Sequence, residues 1–331
     1  LSMRPDRKTI DELEFLTNSN QWISLIQRCL ELIEHDESSP LVWNFLGIAQ
    51  RAKGLPLLSE AAHRRAIELD PNFFAAYSNL GNVLKDLEKF DEAVEVQKKS
   101  IELKPTEPRT SNNLGTLLED IGRFDEAEKY FAKAVELDGN YATAKYNLGG
   151  IKLRKKEFAD GWAQREMRWW RDSPEQEPKL ASTKPQWNGE PVDRLFVWSE
   201  QGVGDEIMFA GCYNELAKSC RQLTISVSGR LLPIMQRSFP KNIKFIDRHL
   251  PLADDEFDFQ VPVLTALGHL RQNVERFQSQ KSAYIMADKS KVKILRDELE
   301  KYANGKKIVG LSWFSKNATV GKKRSISLVE L

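Results

Sequence analysis

Small and apolar residues recur along the first half of the chain with a period of 34 residues. Leu-Gly pairs begin at Leu46, Leu80, Leu114 and Leu148. Other positions in the same register hold Trp43, Tyr77, Ala66, Ala93, Ala127, Ala134, Pro71 and Pro105. Small residues let two helix axes approach, aromatic residues fill the gap, and proline ends the second helix. The period therefore predicts stacked antiparallel helix pairs that share one continuous core.

Residues 40 to about 160 resemble tetratricopeptide repeats, which have this period. The resemblance implies a right-handed superhelix whose first helices line a concave groove. Gly139 stands where proline is usual, and Gly161 replaces a small alanine. Residues 1–39 fit only loosely, and we interpret them as a degenerate repeat that caps the array.

Three successive repeats place an asparagine directly before the Leu-Gly pair, at Asn79, Asn113 and Asn147. This row resembles the asparagine ladder of O-linked N-acetylglucosamine transferase superhelices. An amide both donates and accepts, so such a row can bind an extended peptide through its backbone. The resemblance implies a groove for a protein or peptide partner. The alternative is that Asn-Leu-Gly is a common repeat consensus.

Further polar residues share the groove-facing register of the first helices. Asn82 and Asn112 complete the candidate peptide-binding set. The other positions are Ser78, Lys85, Arg109, Glu119, Tyr146 and Arg154. Their charges have both signs and identify no ligand.

Aromatic residues cluster where the repeats end. Trp169 and Trp170 give the last helix more apolar surface than a terminal cap needs, so we expect it to pack on the second half of the chain. Residues 173–191 are rich in proline and charge, which is typical of a linker. Within them, residues 185–191 around Trp187 are interpreted as a fixed docking turn. The alternative is an exposed linker with an incidental tryptophan.

From Leu195 the pattern changes to short apolar runs, each followed by an amphipathic segment. The predicted strands are Leu195–Ser199, Leu223–Val227, Ile243–Ile246 and Phe257–Pro262, with a new strand from Ile308; the predicted helices are Glu206–Ser219, Leu231–Arg237 and Lys291–Tyr302. This alternation predicts a Rossmann-like doubly wound parallel sheet.

The predicted fold class is an α-solenoid followed by an α/β domain. The predicted units are a helical cap (1–39), repeats with a capping helix (40–172), a linker or docking segment (173–191), a Rossmann-like domain (192–305), and the start of a second α/β domain or a C-terminal extension (306–331). Eighteen residues follow Trp313, too few to complete a second α/β domain.

Two glycines shape the turn after the first predicted strand. Gly202 and Gly204 allow the backbone to approach a ligand, and the following helix start offers N–H groups to an anion. The turn lacks the third glycine of a dinucleotide fingerprint and the Lys-Ser/Thr of a Walker loop. Asp205, the next residue, is also a good N-cap for the predicted helix.

Residues Trp198 to Ala210 are similar to the opening turn of heptosyltransferase-like glycosyltransferases of the GT-B fold, in the branch with tetratricopeptide repeats upstream. The segments that agree are Gly161-Trp162, Arg168-Trp169-Trp170, Trp187 to Pro191, Phe257-Asp258, Val309 to Trp313, and Arg324-Ser325-Ile326. The resemblance spans most of residues 40 to 331.

This resemblance implies an inverting, metal-independent glycosyl transfer with a nucleotide sugar as donor substrate and a sugar or protein acceptor; it implies no other cofactor. Asp205 would deprotonate the acceptor hydroxyl. The residues implied for nucleotide-sugar, phosphate or acceptor binding are Gln201, Gly202, Gly204, Lys322, Lys323 and Arg324. The alternative for the basic run is a solvated loop.

Composition narrows the choice of partners. Lys plus Arg total 49 and Asp plus Glu 48, so the net charge of +1 favours neither nucleic acid nor an anionic membrane. No apolar run approaches the roughly 18 residues of a membrane span, and no signal peptide is evident, so we expect a cytoplasmic protein. Three cysteines without a CxxC motif disfavour disulfide and zinc scaffolds. Asp254 to Asp258 superficially resembles a metal-binding DxD, but an acidic surface loop is favoured.

Two hypotheses remain. In the first, the repeats recruit a protein and the α/β domain is the acceptor half of a glycosyltransferase. In the second, the chain is a non-enzymatic interaction scaffold with a degenerate Rossmann-like module.

Overall fold

The computed structural model describes residues 5–171, 179–200, 202–250, 252–278, 283–303 and 305–307. The predicted site residues Gln201, Lys322, Lys323 and Arg324 lie outside the described residues, as does the strand predicted from Ile308.

The first part of the chain is a solenoid of antiparallel helix pairs. Its helices are α1 (Arg7–Asn18), α2 (Trp22–His35), α3 (Pro40–Ala52), α4 (Pro56–Leu69), α5 (Phe74–Asp86), α6 (Phe90–Leu103), α7 (Pro108–Asp120), α8 (Phe124–Leu137), α9 (Ala142–Arg154) and α10 (Phe158–Arg165). The loosely fitting N-terminal residues also form a helix pair, whose Leu13, Leu25 and Cys29 are buried against α3.

The glycine of each of the first three Leu-Gly pairs lies against one side chain of the following helix. A Cβ on Gly115 would lie 2.7 Å from the ring of Phe131, and a Cβ on Gly47 would lie 2.6 Å from the imidazole of His63. Because the gap is this narrow, only glycine fits without a shift of the neighbouring side chain. This explains why the glycine keeps the 34-residue period.

In the second part of the chain, the described residues form a parallel sheet of four strands. Its strands are β1 (Val192–Trp198), β2 (Cys220–Val227), β3 (Ile243–Asp247) and β4 (Phe259–Pro262), in the order β3-β2-β1-β4. In register, Val197 of β1 is opposite Ile225 of β2 and Val261 of β4. All four predicted strands are present, and parallel pairing brings their carboxyl ends to one edge.

Among the described residues, six helices accompany the sheet: α11 (Val203–Phe209), α12 (Tyr213–Leu216), α13 (Leu232–Ser238), α14 (Val263–Leu270), α15 (Val274–Gln278) and α16 (Lys289–Ala303). The single helix predicted over Glu206–Ser219 is wrong, because a 3-10 turn at Ala210–Cys212 separates α11 from α12. Gly211 stands in this turn, and glycine is a poor helix former.

The two faces of the sheet are covered differently. Leu195 and Val197 point into a core shared with α11 to α14. Phe196 and Trp198 alternate to the opposite face, where Phe257, Trp169, Leu180 and Leu252 cover them. Among the described residues, helices therefore pack on one face only. The parallel sheet is confirmed, whereas helices on both faces, as a doubly wound fold requires, are not seen in this part of the chain.

The predicted docking turn belongs to the α/β core. Trp187 is 1% exposed, its indole N–H donates to the carbonyl of Glu190 at 2.6 Å, and its backbone N–H donates to Gln260 of β4 at 2.8 Å. The alternative of an exposed linker with an incidental tryptophan is therefore wrong for this segment.

The end of the solenoid packs on the α/β domain, as its aromatic residues predict. The indole of Trp162 in α10 donates to the carbonyl of Arg271 at 2.7 Å. Phe158 lies against Phe277, with ring centroids 4.8 Å apart. Trp169, in the 3-10 turn after α10, packs on Trp198 of β1.

Candidate functional site

The predicted asparagine row lies along the first helices α5, α7 and α9. Each asparagine donates from Nδ2 to the side chain 35 residues earlier, one helix pair back along the solenoid. The pairs are Asn79 to Asn44 at 3.0 Å, Asn113 to Ser78 at 3.1 Å and Asn147 to Asn112 at 3.0 Å. The row therefore connects neighbouring repeats.

A row of ion pairs runs beside these amides with the same offset. Arg51 pairs with Asp86 at 2.6 Å, and Lys85 pairs with Asp120 at 3.1 Å. Each partner lies seven residues, about two helical turns, after a member of the amide row, so both rows lie on one helix face. Together they fix the spacing of successive first helices.

The concave side contains a cavity of about 710 Å³ between α3 and α9. Asn79, Asn112 and Asn113 line it together with Asn44 and Ser78. Asn79 and Asn113 are partly exposed, and each uses one of its two amide hydrogens on the preceding repeat. The second hydrogen and the carbonyl oxygen have no other partner among the described residues. These groups can therefore pair with the backbone of an extended peptide.

Two of the predicted groove residues lie elsewhere. Asn82 accepts a hydrogen bond from Gln97 of α6 at 3.3 Å and is not among the residues that line this cavity. The reason is that Gln97 occupies the space against Gly81 and draws the amide toward the second helix. Asn147 lies in the amide row beyond the wall of this cavity.

The groove continues toward the end of the solenoid in a smaller pocket of about 260 Å³. Arg109, Tyr141 and Thr143 line both cavities, and Trp170 closes the far side of the smaller one. The side chain of Trp170 is 62% exposed although it is large and apolar. This exposed aromatic surface adjoins the row of amides.

A second candidate site lies at the carboxyl edge of the sheet, where open α/β sheets bind ligands. A cavity of about 590 Å³ there is lined by Trp198, Ser199, Ser226, Arg248 and Lys179, among others. The lining combines an aromatic ring, hydroxyl groups and cations. It can accommodate a polar ring compound that carries negative charge.

The turn after β1 is open to solvent at its glycines. Gly202 is the N-cap of α11, and Asp205 is the third residue of this helix, so the interpretation of Asp205 as the N-cap is wrong. Gly202 has a negative φ, and a Cβ on Gly204 would have no neighbour within 4 Å. No described residue donates a hydrogen bond to the half-exposed carboxylate of Asp205, which leaves it available to a ligand.

Glu206, the next residue, has a structural role that the sequence patterns did not indicate. It is 1% exposed and accepts from the Ser199 hydroxyl at 2.8 Å, the Ser228 backbone N–H at 2.8 Å and Arg248 at 3.0 Å. Glu206 thereby joins the carboxyl ends of β1, β2 and β3. Its helical spacing from the buried Ala210 and Tyr213 was the available signal.

Glu200, which follows β1, is also buried. Its carboxylate accepts from the backbone N–H of Leu264 at 3.0 Å and pairs with Arg168. Burial raises the pKa of Glu200 above its ordinary value, while Arg168 acts in the opposite direction. A residue from the end of the solenoid thus occupies the sheet edge between β1 and β4.

Asp254, in the acidic run before β4, accepts hydrogen bonds from Ser182 and Thr183. Within the described ranges, no group of three or more His, Cys, Asp or Glu side chains could hold a metal ion.

Among the helices that the structure describes, none combines the length and apolar character needed to cross a membrane.

Two comparisons with known proteins differ in how much of the chain they cover. A tetratricopeptide repeat family model matches residues 72–140, which confirms the predicted repeats there. Protein FlbA of Caulobacter vibrioides is 27% identical over 418 aligned positions, covering 97% of this chain and 69% of FlbA.

Solved structures resemble about half of the chain. MamA from Desulfovibrio magneticus RS-1 is 19% identical with a TM-score of 0.42, covering 50% of this chain and 97% of MamA. PilF of Pseudomonas aeruginosa is 18% identical with a TM-score of 0.45, covering 48% of this chain and 73% of PilF.

Proposed function

We propose that the solenoid groove binds an extended segment of a protein partner through the backbone of that segment. The observation that carries this proposal is the position of Asn79 and Asn113. Each is held by one hydrogen bond to the preceding repeat and keeps a donor and an acceptor at the wall of the 710 Å³ cavity. A row of pre-positioned amides recognises backbone and is tolerant of side-chain sequence.

Selection from a displayed library of random dodecapeptides tests this proposal. Affinities of the enriched peptides are then measured by fluorescence polarisation. Each amide hydrogen bond contributes about 1 kcal/mol, so Asn79→Ala/Asn113→Ala/Asn147→Ala should weaken binding at least tenfold. Asn72→Ala, in the exposed turn before α5, is the matched control and should leave binding unchanged. Equal affinity of the triple variant and the wild type would contradict the proposal.

A second candidate function is inverting glycosyl transfer by the α/β domain, with a nucleotide sugar as donor and a sugar or protein as acceptor. The difference between Asp205 and Glu206 favours it. The carboxylate of Glu206 accepts three hydrogen bonds, whereas that of Asp205 accepts none from the described residues. A free, half-exposed carboxylate at the ligand-binding edge of a parallel sheet suits a general base.

Mass spectrometry of the selected peptides after incubation with UDP-, GDP- and CMP-linked sugars tests this second function. General-base catalysis contributes about 10²–10⁴-fold, so Asp205→Asn should lower any transfer at least a hundredfold. Asp255→Asn, at an exposed acidic residue in the run before β4, is the control. A wild-type protein that transfers none of these sugars would favour the scaffold hypothesis instead.

A further inference from the structure

The last groove-facing helix ends the amide row with a tyrosine. Tyr146 occupies in α9 the place that Asn112 has in α7 and Ser78 has in α5, each 34 residues earlier. In those repeats, the residue at this place accepts a hydrogen bond from the next helix of the row. Tyr146 instead contacts Arg165, the last residue of α10, and Arg171, which follows that helix.

Two guanidinium groups stack on this ring. The guanidinium carbon of Arg165 lies 3.6 Å from the ring centroid of Tyr146, and that of Arg171 lies 4.4 Å from it. Neither arginine has a carboxylate within ion-pair distance among the described residues. Nε of Arg171 is buried without a hydrogen-bond partner. Cation–π stacking on Tyr146 therefore stabilises both guanidinium groups.

The nearby acidic residues are Glu119 and Asp120 of α7. Asp120 pairs with Lys85. Burial, reinforced by Asp120, raises the pKa of Glu119, although Arg154 and Arg165 oppose the rise. Burial also lowers the pKa of Arg165, with Arg171 and Arg168 contributing to the fall. Among the described residues, Glu119 interacts electrostatically with Arg165 but forms no ion pair with it.

Trp170 connects the arginine pair to the groove. It precedes Arg171 in the chain and lines the 260 Å³ pocket together with Arg109, which also lines the larger cavity. On the other side of Trp170, the ammonium of Lys179 lies 4.3 Å from its ring centroid. We call Tyr146, Arg165, Trp170, Arg171 and Lys179 the cationic end of the groove.

We propose that the cationic end binds an acidic side chain of the peptide in the groove, with Arg165 and Arg171 as the groups that take its carboxylate. This inference rests on the proposed peptide-binding function. A planar guanidinium matches a carboxylate through two parallel hydrogen bonds, and stacking on Tyr146 fixes its orientation in advance. The amides accept any backbone, whereas an acidic anchor at one end sets the register of the bound segment.

Defined probes test this inference by fluorescence polarisation. The first is a fluorescein-labelled dodecapeptide of alternating Glu and Gly, and the second has Gln in place of Glu. The wild type should bind the Glu peptide at least tenfold more tightly than the Gln peptide. Arg165→Gln/Arg171→Gln should remove this preference and leave the affinity for the Gln peptide unchanged.

Two further variants separate local recognition from general charge. Arg65→Gln/Arg123→Gln removes the same charge from exposed positions away from the groove and should keep the preference. Arg165→Lys/Arg171→Lys keeps the charge but not the planar fork, and should retain only part of the preference. Circular dichroism melting of each variant confirms that the solenoid is folded.

Several outcomes would overturn the inference. One is an equal preference in the wild type and in Arg165→Gln/Arg171→Gln, and another is no preference in the wild type. Tenfold tighter binding of a phosphoserine-Gly peptide, or of a thymidine dodecanucleotide, would assign the site to phosphate. A last outcome is binding of the Glu peptide by the variant Asp172→Asn/Glu175→Gln/Glu177→Gln but not by the wild type. The arginines would then bind acidic residues of this chain rather than those of a partner. The Gln peptide, together with the triple asparagine variant, reports separately on the proposed groove function.

Discussion

The guanidinium of Arg168 donates to both oxygens of the Glu200 carboxylate, from Nε at 2.6 Å and from Nη2 at 3.0 Å, and both side chains are buried. Arg168 comes from the turn that ends the solenoid, and Glu200 follows the first strand of the sheet. Thr265 of α14 accepts a third hydrogen bond from the same guanidinium at 2.8 Å. The two parts of the chain therefore share a buried polar junction.

Breaking this junction should be costly. Arg168→Met leaves the Glu200 carboxylate buried without its cation, and removal of one partner of a buried pair typically costs about 3–5 kcal/mol. Urea denaturation should show this loss in the free energy of unfolding. Arg221→Gln, which breaks the exposed pair with Asp193, should cost less than about 1 kcal/mol. A similar loss in both variants would show that the buried junction contributes little.

The glycine positions of the repeats should differ sharply in their tolerance of alanine. In Gly115→Ala, the new methyl group would meet the buried ring of Phe131 at 2.7 Å, which should cost about 1–3 kcal/mol. In Gly139→Ala, the methyl group would have no neighbour within 4 Å, so the change should stay within about 0.5 kcal/mol. Thermal unfolding of the two variants measures the difference.

His63 should make the solenoid sensitive to acid. Its imidazole is 1% exposed, and burial, with a smaller effect of Arg51, lowers its pKa from 6.5 to about 3. Between these values the unfolded chain binds the proton and the folded chain does not. The contribution of His63 is thus fully present above pH 6.5 and falls by about 1.4 kcal/mol per pH unit below it, down to about pH 3.

The chain itself suggests the control for this prediction. Phe131 occupies in α8 the place that His63 has in α4, two repeat periods earlier. In His63→Phe, the free energy of unfolding should therefore lose this part of its pH dependence. The difference between wild type and variant, followed by urea denaturation from pH 7.5 to 4.5, should change by about 3 kcal/mol. A constant difference would mean that His63 has the same pKa in the folded and unfolded states.

The solenoid was predictable because a single requirement repeats. Gly47 and Gly115 must each leave room for a side chain of the next helix, and this need recurs every 34 residues. The ion pairs of Arg51 and Lys85 were not predictable in the same way. Their partners lie 35 residues away, and the mixed charges of the register carried no sign of this pairing until the helices were stacked.

The α/β part was predictable in its strands but less so in its site. Apolar runs are short and continuous in a buried parallel sheet, so β1 to β4 were recognisable. Sequence patterns emphasised Asp205 because of its place beside two glycines. They missed Glu206 because its role depends on Ser228 and Arg248, which β2 and β3 bring to the same edge. Contacts of this kind depend on strand order, which periodicity does not contain.

Loss of charge should therefore destabilise the protein much more at Glu206 than at the adjacent Asp205. Glu206→Gln replaces a buried, charged acceptor of three hydrogen bonds, one of them from Arg248, with a neutral amide, so it should cost about 2–4 kcal/mol. Asp205→Asn removes no described contact and should change stability by less than about 0.5 kcal/mol. Urea denaturation of both variants measures these free energies. If Asp205→Asn proved the more damaging change, its carboxylate would have a structural partner, and its role as a free base would no longer hold.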